Sequence, residues 1–308
     1  MKKFLLSSLT LAVAFGTASA QTVFSGGPTD DIGLATNWNP QTLPSVSNVG
    51  TLNSQAEWAP ANPTLTGFYL DIGPSGVLDR SAFFATQTID GGVWNLNGGS
   101  ITNTVNVSLS NAAEFNLNSG TFAFGGGGRD LSVGGASVFT VNDGTLSVDD
   151  GIGVSGGVFT QNGGTVTVNG GVAQNFNTNG TFNFNGGSFS SGTFGKDNKA
   201  LDRFINMGAG SGSVTFSNYE AFRTIIDFEA NSLMSLTVSG SITDSGVAAT
   251  FEDLYNSGAL LYDGSNATPF ASSPFVVTGD TLTVVPEPSA VGLFAVAALL
   301  PLLRRVRR

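Results

Sequence analysis

The stretch FNLNSGTFAFGGGGRDLSVGGAS, residues 115–137, contains three short runs of alternating apolar and polar residues, separated by three glycine-rich corners. Such alternation is the pattern of a β-strand with one buried side. A helix is excluded, because glycine interrupts the stretch every few residues. Three strands of about four residues and three corners of about three residues give about 21 residues, which predicts one coil of a parallel β-helix.

The first part of this stretch recurs along the chain as an eight-residue motif: aromatic, Asn or Thr, variable, Asn, variable, Gly, Ser or Thr, apolar. Its five copies begin at Trp94, Phe115, Phe139, Phe159 and Phe182. A motif that returns every 20–24 residues predicts a solenoid, because each unit buries its apolar side only against its neighbours. The predicted corner residues are Asn97 and Gly99, Asn118 and Gly120, Asn142 and Gly144, Asn162 and Gly164, and Asn185 and Gly187.

The coil also predicts where side chains point. Phe115 and Leu117 face inward and Asn116 outward, and the five motif aromatics stack from coil to coil. Glycine and asparagine at the corners both tolerate positive φ, and asparagines in register can hydrogen-bond between coils. The predicted fold class is therefore all-β: a parallel β-helix with three short strands per coil of about 20–24 residues and a β-rich C-terminal cap.

The chain ends differ from its middle. Residues 1–20 are typical of a secretory signal peptide, with cleavage predicted between Ala20 and Gln21. Residues 21–195 are assigned to the β-helix with its N-terminal cap, and residues 196–285, which lose the asparagine corner, to a C-terminal cap. That cap is predicted to hold one helix, in ATFEDLYNSG with Gly258 as its stop, and two strands in PFVVTG and TLTVV. Residues 286–308 form a separate tail.

The region between residues 21 and 285 carries six basic and 21 acidic residues, a net charge near −15. Nucleic acid is excluded as a partner, because no basic patch exists to neutralise phosphates. The chain has neither cysteine nor histidine. Stability must therefore come from burial and hydrogen bonds, and the commonest general base and a leading metal ligand are both missing.

The tail combines an extended peptide, a marginal membrane span and a basic end. Its first residues, Pro286, Glu287 and Pro288, cannot start a helix. Residues 290–303 are uncharged but would cover only about 21 Å of a ~30 Å hydrocarbon core. The basic end consists of Arg304, Arg305, Arg307 and Arg308.

The tail, from Val285 to Arg308, closely resembles the PEP-CTERM sorting signal of Gram-negative bacteria. The resemblance implies removal of the tail by an exosortase, a membrane protease-transpeptidase, after transient anchoring in the inner membrane. It further implies delivery of the body to the cell surface or the exopolysaccharide matrix. The alternative is an ordinary C-terminal anchor that keeps the protein in the inner membrane.

Two motifs resemble ligand-binding loops. Residues 151–156, GIGVSG, fit G-x-G-x-x-G, but a strand pattern follows where dinucleotide binding needs a helix. Residues 125–133, GGGGRDLSV, are similar to a calcium-binding nonapeptide. The next nine residues lack its aspartate, and Ser132 replaces its large apolar residue. No cofactor is predicted, and Ca²⁺ is the one left open.

Two groups of polar residues remain as functional candidates. Asp143, Asp149 and Asp150, with Arg129 and Asp130 one coil away, leave open a polysaccharide lyase or hydrolase, although no histidine or second basic residue supports it. The second group follows the corner glycines and would form two outward ladders, suited to glycan chains or, as in ice-binding solenoids, to ice. The leading hypothesis is a non-enzymatic structural or adhesive protein. Those ladder residues are Ser100, Thr102, Thr121, Ala123, Thr145, Ser147, Thr165, Thr167, Ser188 and Ser190.

Overall fold

A computed structural model describes residues 20–27, 30–58, 64–79, 86–125, 127–172, 180–195 and 203–285. The predicted signal segment before Ala20 and the whole tail, residues 286–308, lie outside these ranges. Within them, no helix has the length and apolarity needed to cross a bilayer.

The described residues are almost entirely β-strand, with one α-helix, α1 (Phe251–Ser257), and two 3₁₀ turns at Ala35–Asn37 and Phe270–Ser272. In chain order the strands are β1 (Ala20–Phe24), β2 (Trp38–Asn39), β3 (Asn48–Leu52), β4 (Gln55–Glu57), β5 (Thr64–Thr66), β6 (Leu70–Ile72), β7 (Val77–Asp79), β8 (Gln87–Asp90), β9 (Val93–Asn103), β10 (Val107–Ser110), β11 (Glu114–Phe124), β12 (Leu131–Gly134), β13 (Val138–Val141), β14 (Thr145–Val148), β15 (Gly151–Ser155), β16 (Val158–Gln161), β17 (Thr165–Val172), β18 (Thr181–Phe184), β19 (Gly187–Phe194), β20 (Arg203–Met207), β21 (Ser211–Glu220), β22 (Thr224–Phe228), β23 (Leu233–Val238), β24 (Ile242–Asp244), β25 (Val247–Ala248), β26 (Leu260–Tyr262), β27 (Phe275–Thr278) and β28 (Thr281–Val284).

The strands stack in parallel as three ladders, which we call faces A, B and C. Face A runs through β3, β6, the first half of β9 and of β11, β13, β16, β18, β20, β22 and β26. Face B runs through β4, β7, the second half of β9 and of β11, β14, and the first parts of β17, β19, β21, then β23. Face C runs through β5, β8, β10, β12, β15, the ends of β17, β19 and β21, then β24. The predicted parallel β-helix is confirmed.

The core confirms the predicted inward positions. Phe115, Leu117, Phe122 and Phe124 are buried, while Asn116 is half-exposed. The motif aromatics form a continuous column: ring centroids lie 6.4 Å apart for Trp94–Phe115, 4.8 Å for Phe115–Phe139, and 5.8 Å for both Phe139–Phe159 and Phe159–Phe182. Burial and stacking of these rings therefore tie each coil to the next.

The structure corrects the prediction that both glycine and asparagine adopt positive φ at the corners. The described positive-φ residues include Gly120, Gly144, Gly164 and Gly187 but none of the five corner asparagines. In the first copy Gly98, at φ 105°, replaces Gly99 in this role. Gly99 is required for another reason, because a Cβ there would lie 2.3 Å from the carbonyl oxygen of Gly76. Glycine alone makes the turn, and asparagine serves hydrogen bonding.

The C-terminal cap begins later than the predicted residue 196. Parallel pairing continues through β20, β21, β22, β23 and β24, so these strands belong to the solenoid. The end is closed by antiparallel strands, β28 on β23 and β25 on β24, and by α1. The predicted helix and strands are present: Gly258 ends α1 at φ 82°, and β27 and β28 form a hairpin. The asparagine corner motif ends at Asn185, but the parallel coils continue beyond it. The sequence therefore places the start of the cap too early.

Candidate functional site

Face B presents to the outside two straight columns of small residues, all of them polar except Ala123. In the middle coils, Thr121, Thr145 and Thr165 are paired directly across neighbouring strands and are exposed. The two columns continue past the predicted residues through β21 and β23 and onto β28, where the Thr237 and Thr281 hydroxyls lie 2.8 Å apart. We call this surface the hydroxyl face; its columns are Ser100, Thr121, Thr145, Thr165, Ser188, Ser213, Ser235, Thr283 and Thr102, Ala123, Ser147, Thr167, Ser190, Thr215, Thr237, Thr281.

The corner asparagines form a ladder along one edge of the hydroxyl face. Each side-chain Nδ2 donates to the Oδ1 of the asparagine in the preceding coil. The distances are 2.9 Å for Asn118 to Asn97, 2.7 Å for Asn142 to Asn118, 2.8 Å for Asn162 to Asn142 and 2.9 Å for Asn185 to Asn162. The predicted bonding between coils is confirmed. Because one amide N–H and one carbonyl lone pair of each asparagine are left over, the ladder can still bind a ligand.

The arrangement supplies regularly spaced, uncharged donors and acceptors. Coils repeat about every 4.8 Å, and the two columns of one strand are about 6.7 Å apart. None of the column residues is charged, although the body as a whole is strongly acidic. Hydroxyl and amide groups in this geometry can hydrogen-bond to a polymer of sugar hydroxyls without any cost from charge repulsion.

The acidic residues are separated by the fold into two places. Asp143 lies at the A–B corner, where its Oδ1 accepts from the Gly144 N–H at 2.8 Å. At the other end of β14, Asp150 lies against the preceding coil, its N–H donating to the Arg129 carbonyl at 3.0 Å. Asp149 is beside it, with one buried carboxylate oxygen that has no hydrogen-bond partner within the described chain.

Asp130 and Asp150 are brought together in a groove on face C. The groove measures about 280 Å³ and is bordered by Ser108, Ser132 and Ser155, and Gly153 opens it because it carries no side chain. Burial, together with the nearby charge of Asp150, raises the pKa of Asp130, and a hydrogen bond from the Gly151 N–H opposes this shift. The groove was missed from sequence, because only the register of face C shows which residues surround the two carboxylates.

The remaining motifs have structural positions. Residues 151–155 are strand β15, followed by strand β16 rather than a helix, so they offer no dinucleotide-binding turn. Across the described ranges, no group of three or more acidic, histidine or cysteine side chains is arranged to hold a metal ion. Ala20 and Gln21 lie at the start of β1, whereas the sorting residues Pro286 to Arg308 lie outside the described residues.

No family model, no curated protein and no solved structure matches this chain.

Proposed function

We propose that this protein is an exported, non-enzymatic structural or adhesive β-solenoid of the bacterial envelope or exopolysaccharide matrix. The hydroxyl face would be its contact surface for extracellular polysaccharide. The observation that carries the proposal is the hydroxyl face itself, whose columns run uncharged from β9 to β28 on an acidic body. Repeated weak contacts along one rigid surface add up by multivalency, so strong adhesion needs no deep pocket.

Export and sorting are part of the same proposal. Cleavage between Ala20 and Gln21 would leave the strand from Gln21 to Phe24, which pairs with β3, intact. Val285 is 52% exposed and directly follows β28, so removal of the tail at the Pro286-Glu287-Pro288 motif by an exosortase would leave the hairpin undisturbed. Mass spectrometry of the C-terminal peptide from membrane and extracellular fractions tests this. An extracellular form that ends near Pro286 supports sorting, whereas retained arginines in the membrane fraction indicate a plain anchor.

Glycan contact is tested by charging the hydroxyl face. Replacing Thr145 and Thr165, a stacked exposed pair, with glutamate should abolish co-sedimentation with the matrix polysaccharide purified from the producing cells. The matched control changes Thr64 and Thr88, an outward stacked threonine pair on face C, to glutamate and should retain binding. Equal loss in both double variants would show that net charge matters and not the hydroxyl face.

A polysaccharide-active enzyme is the second candidate, favoured by the groove on face C. A carboxyl of raised pKa beside a second carboxylate is the arrangement that general acid catalysis of glycoside cleavage uses. Cleavage of neutral or acidic polysaccharides that is lost in both Asp130→Asn and Asp150→Asn, but kept in Asp143→Asn, would establish this function and overturn the non-enzymatic one.

A further inference from the structure

The outer surface of face A carries a second pair of columns, one largely apolar and one polar. We call the first the valine column, and it contains Tyr69, Val93, Glu114, Val138, Val158, Thr181, Phe204 and Ile225. The second, the amide column, contains Asp71, Asn95, Asn116, Thr140, Thr160, Asn183, Asn206 and Asp227.

Over the eight strands from β6 to β22 the amide column is a palindrome; Thr51 of β3 and Leu261 of β26, which continue the column at its two ends, do not match each other. Read along the solenoid it is Asp, Asn, Asn, Thr, Thr, Asn, Asn, Asp, with its centre between Thr140 and Thr160. The valine column has the same symmetry by chemical class: two apolar residues, one polar residue and one valine, then valine, polar and two apolar residues. Its centre lies between Val138 and Val158, in the same two coils.

Such a pattern matches a twofold interface between two copies. A twofold axis parallel to the strands, passing between the coils of β13 and β16, would superpose each column on itself in reverse order. Val138 then faces Val158 of the second copy, and Glu114 faces the hydroxyl of Thr181. An isologous interface requires this self-complementarity, in which residue i contacts j and j contacts i.

Face A is also the only one of the three faces whose outward columns carry a run of large apolar residues within the described coils. On face B these positions are hydroxyl residues from β9 onward except for Ala123, and on face C they include Ser108, Ser132, Gly134 and Gly153. Phe204 is 38% exposed, and Val138 and Val158 are half-exposed. Surface valines scattered singly need no explanation, whereas several large apolar residues aligned in one column form a patch that a partner surface can cover.

The size of the surface fits a modest dimer. Eight coils at about 4.8 Å and two columns about 6.7 Å apart give a face of about 40 by 13 Å, hence about 1,000 Å² buried over both copies, the lower limit for a specific interface. The amides keep spare bonding capacity, because Asn116 donates to Asn95 at 3.0 Å and Asn206 to Asn183 at 2.8 Å with one N–H each.

We propose that two copies of this protein associate face to face through face A as an antiparallel dimer. This leaves both hydroxyl faces on the outside, so one dimer can contact two polysaccharide chains. The like charges of Asp71 and Asp227 meet only at the two ends, and salt should therefore strengthen the dimer by screening them.

The orientation is tested by cysteine cross-linking, since the full chain contains no cysteine. Asn95→Cys and Asn206→Cys are separate single variants whose positions face each other only between antiparallel copies. Oxidising a mixture of the two should give a cross-linked dimer, while neither alone should. Cross-linking of Asn95→Cys with itself, or no cross-linking in the mixture, overturns the proposal.

Sedimentation velocity of the full chain over a range of concentrations measures the affinity. Val138→Glu puts like charges next to the twofold axis, beside Glu114 of the same column, and should weaken dimerisation about a hundredfold or more. The control Thr145→Glu lies in the same coil on face B and should leave the dimer unchanged. A monomer at every concentration, or equal weakening by both variants, contradicts the proposed interface, and circular dichroism of each variant verifies its fold.

Discussion

Replacing Asn142 with alanine tests how much the corner ladder stabilises the solenoid. Asn142 is an interior member: its Nδ2 donates to Asn118 at 2.7 Å, and its Oδ1 accepts from Asn162 at 2.8 Å. Alanine removes both bonds without straining the backbone, because Asn142 does not have positive φ. The ladder is exposed, so water re-solvates the abandoned partners, and each bond counts near the low end of the usual range. We expect a loss of about 1–2 kcal/mol in the free energy of unfolding.

The ladder contains its own controls. Asn97 and Asn185 are its terminal members and each makes one ladder bond, so alanine at either should cost about half as much as at Asn142. Urea unfolding is followed by far-UV circular dichroism for the whole solenoid and by tryptophan fluorescence. The three tryptophans, Trp38, Trp58 and Trp94, are all buried in the N-terminal coils and report that end separately. Two probes are needed because stacked repeats do not always unfold in one step.

Equal losses of stability at interior and terminal positions would contradict this expectation. In that case the asparagines stabilise their own corners locally and the coil-to-coil bonds contribute nothing. An interior loss well above about 3 kcal/mol would also contradict it, because two exposed hydrogen bonds cannot supply that much.

Further substitutions test the core, the corners and the groove. Phe139→Ala, in the middle of the aromatic column, should cost about 3–5 kcal/mol in urea unfolding. Gly144→Ala should cost about 1–3 kcal/mol, because φ is +88° and the new Cβ would lie 2.6 Å from a carbonyl oxygen, whereas Gly125→Ala meets nothing within 4 Å and should be neutral. The pKa of Asp130 is raised above 3.8, so its ionisation makes stability fall as pH rises through that pKa. Asp130→Asn should therefore gain stability relative to the native chain at pH 7 but not at pH 3, and Asp150→Asn should lower the pKa of Asp130 in a carboxyl NMR titration.

The repeat was readable from sequence because one physical demand recurs in each coil. Inward positions must be apolar and the turn needs glycine. The sequence alone therefore predicts that Phe115 and Leu117 are buried and that Gly120 makes the turn. The five residue pairs of the hydroxyl face are predictable in the same way, since each follows its corner glycine by a fixed step; four of them are hydroxyl pairs, and the fifth is Thr121 with Ala123. What the motif could not show is which residues of different coils lie side by side outside its eight positions.

The predicted start of the cap, residue 196, is too early because the asparagine motif ends before the parallel coils do. After Asn185 the next corner reads Gly208-Ala209-Gly210, so the asparagine is gone although the coil continues. A Cβ at Gly208 would lie 2.2 Å from Asn185 Oδ1, which means that the last amide of the ladder occupies the space that a side chain there would need. The ladder ends because glycine replaces asparagine, while the coil continues, and at this corner neither Gly208 nor Gly210 has positive φ. A repeat defined by its hydrogen-bonding residue therefore appears shorter than the solenoid that carries it. The palindrome on face A was hidden for the same reason: its members span coils on both sides of that loss, and only backbone register aligns them.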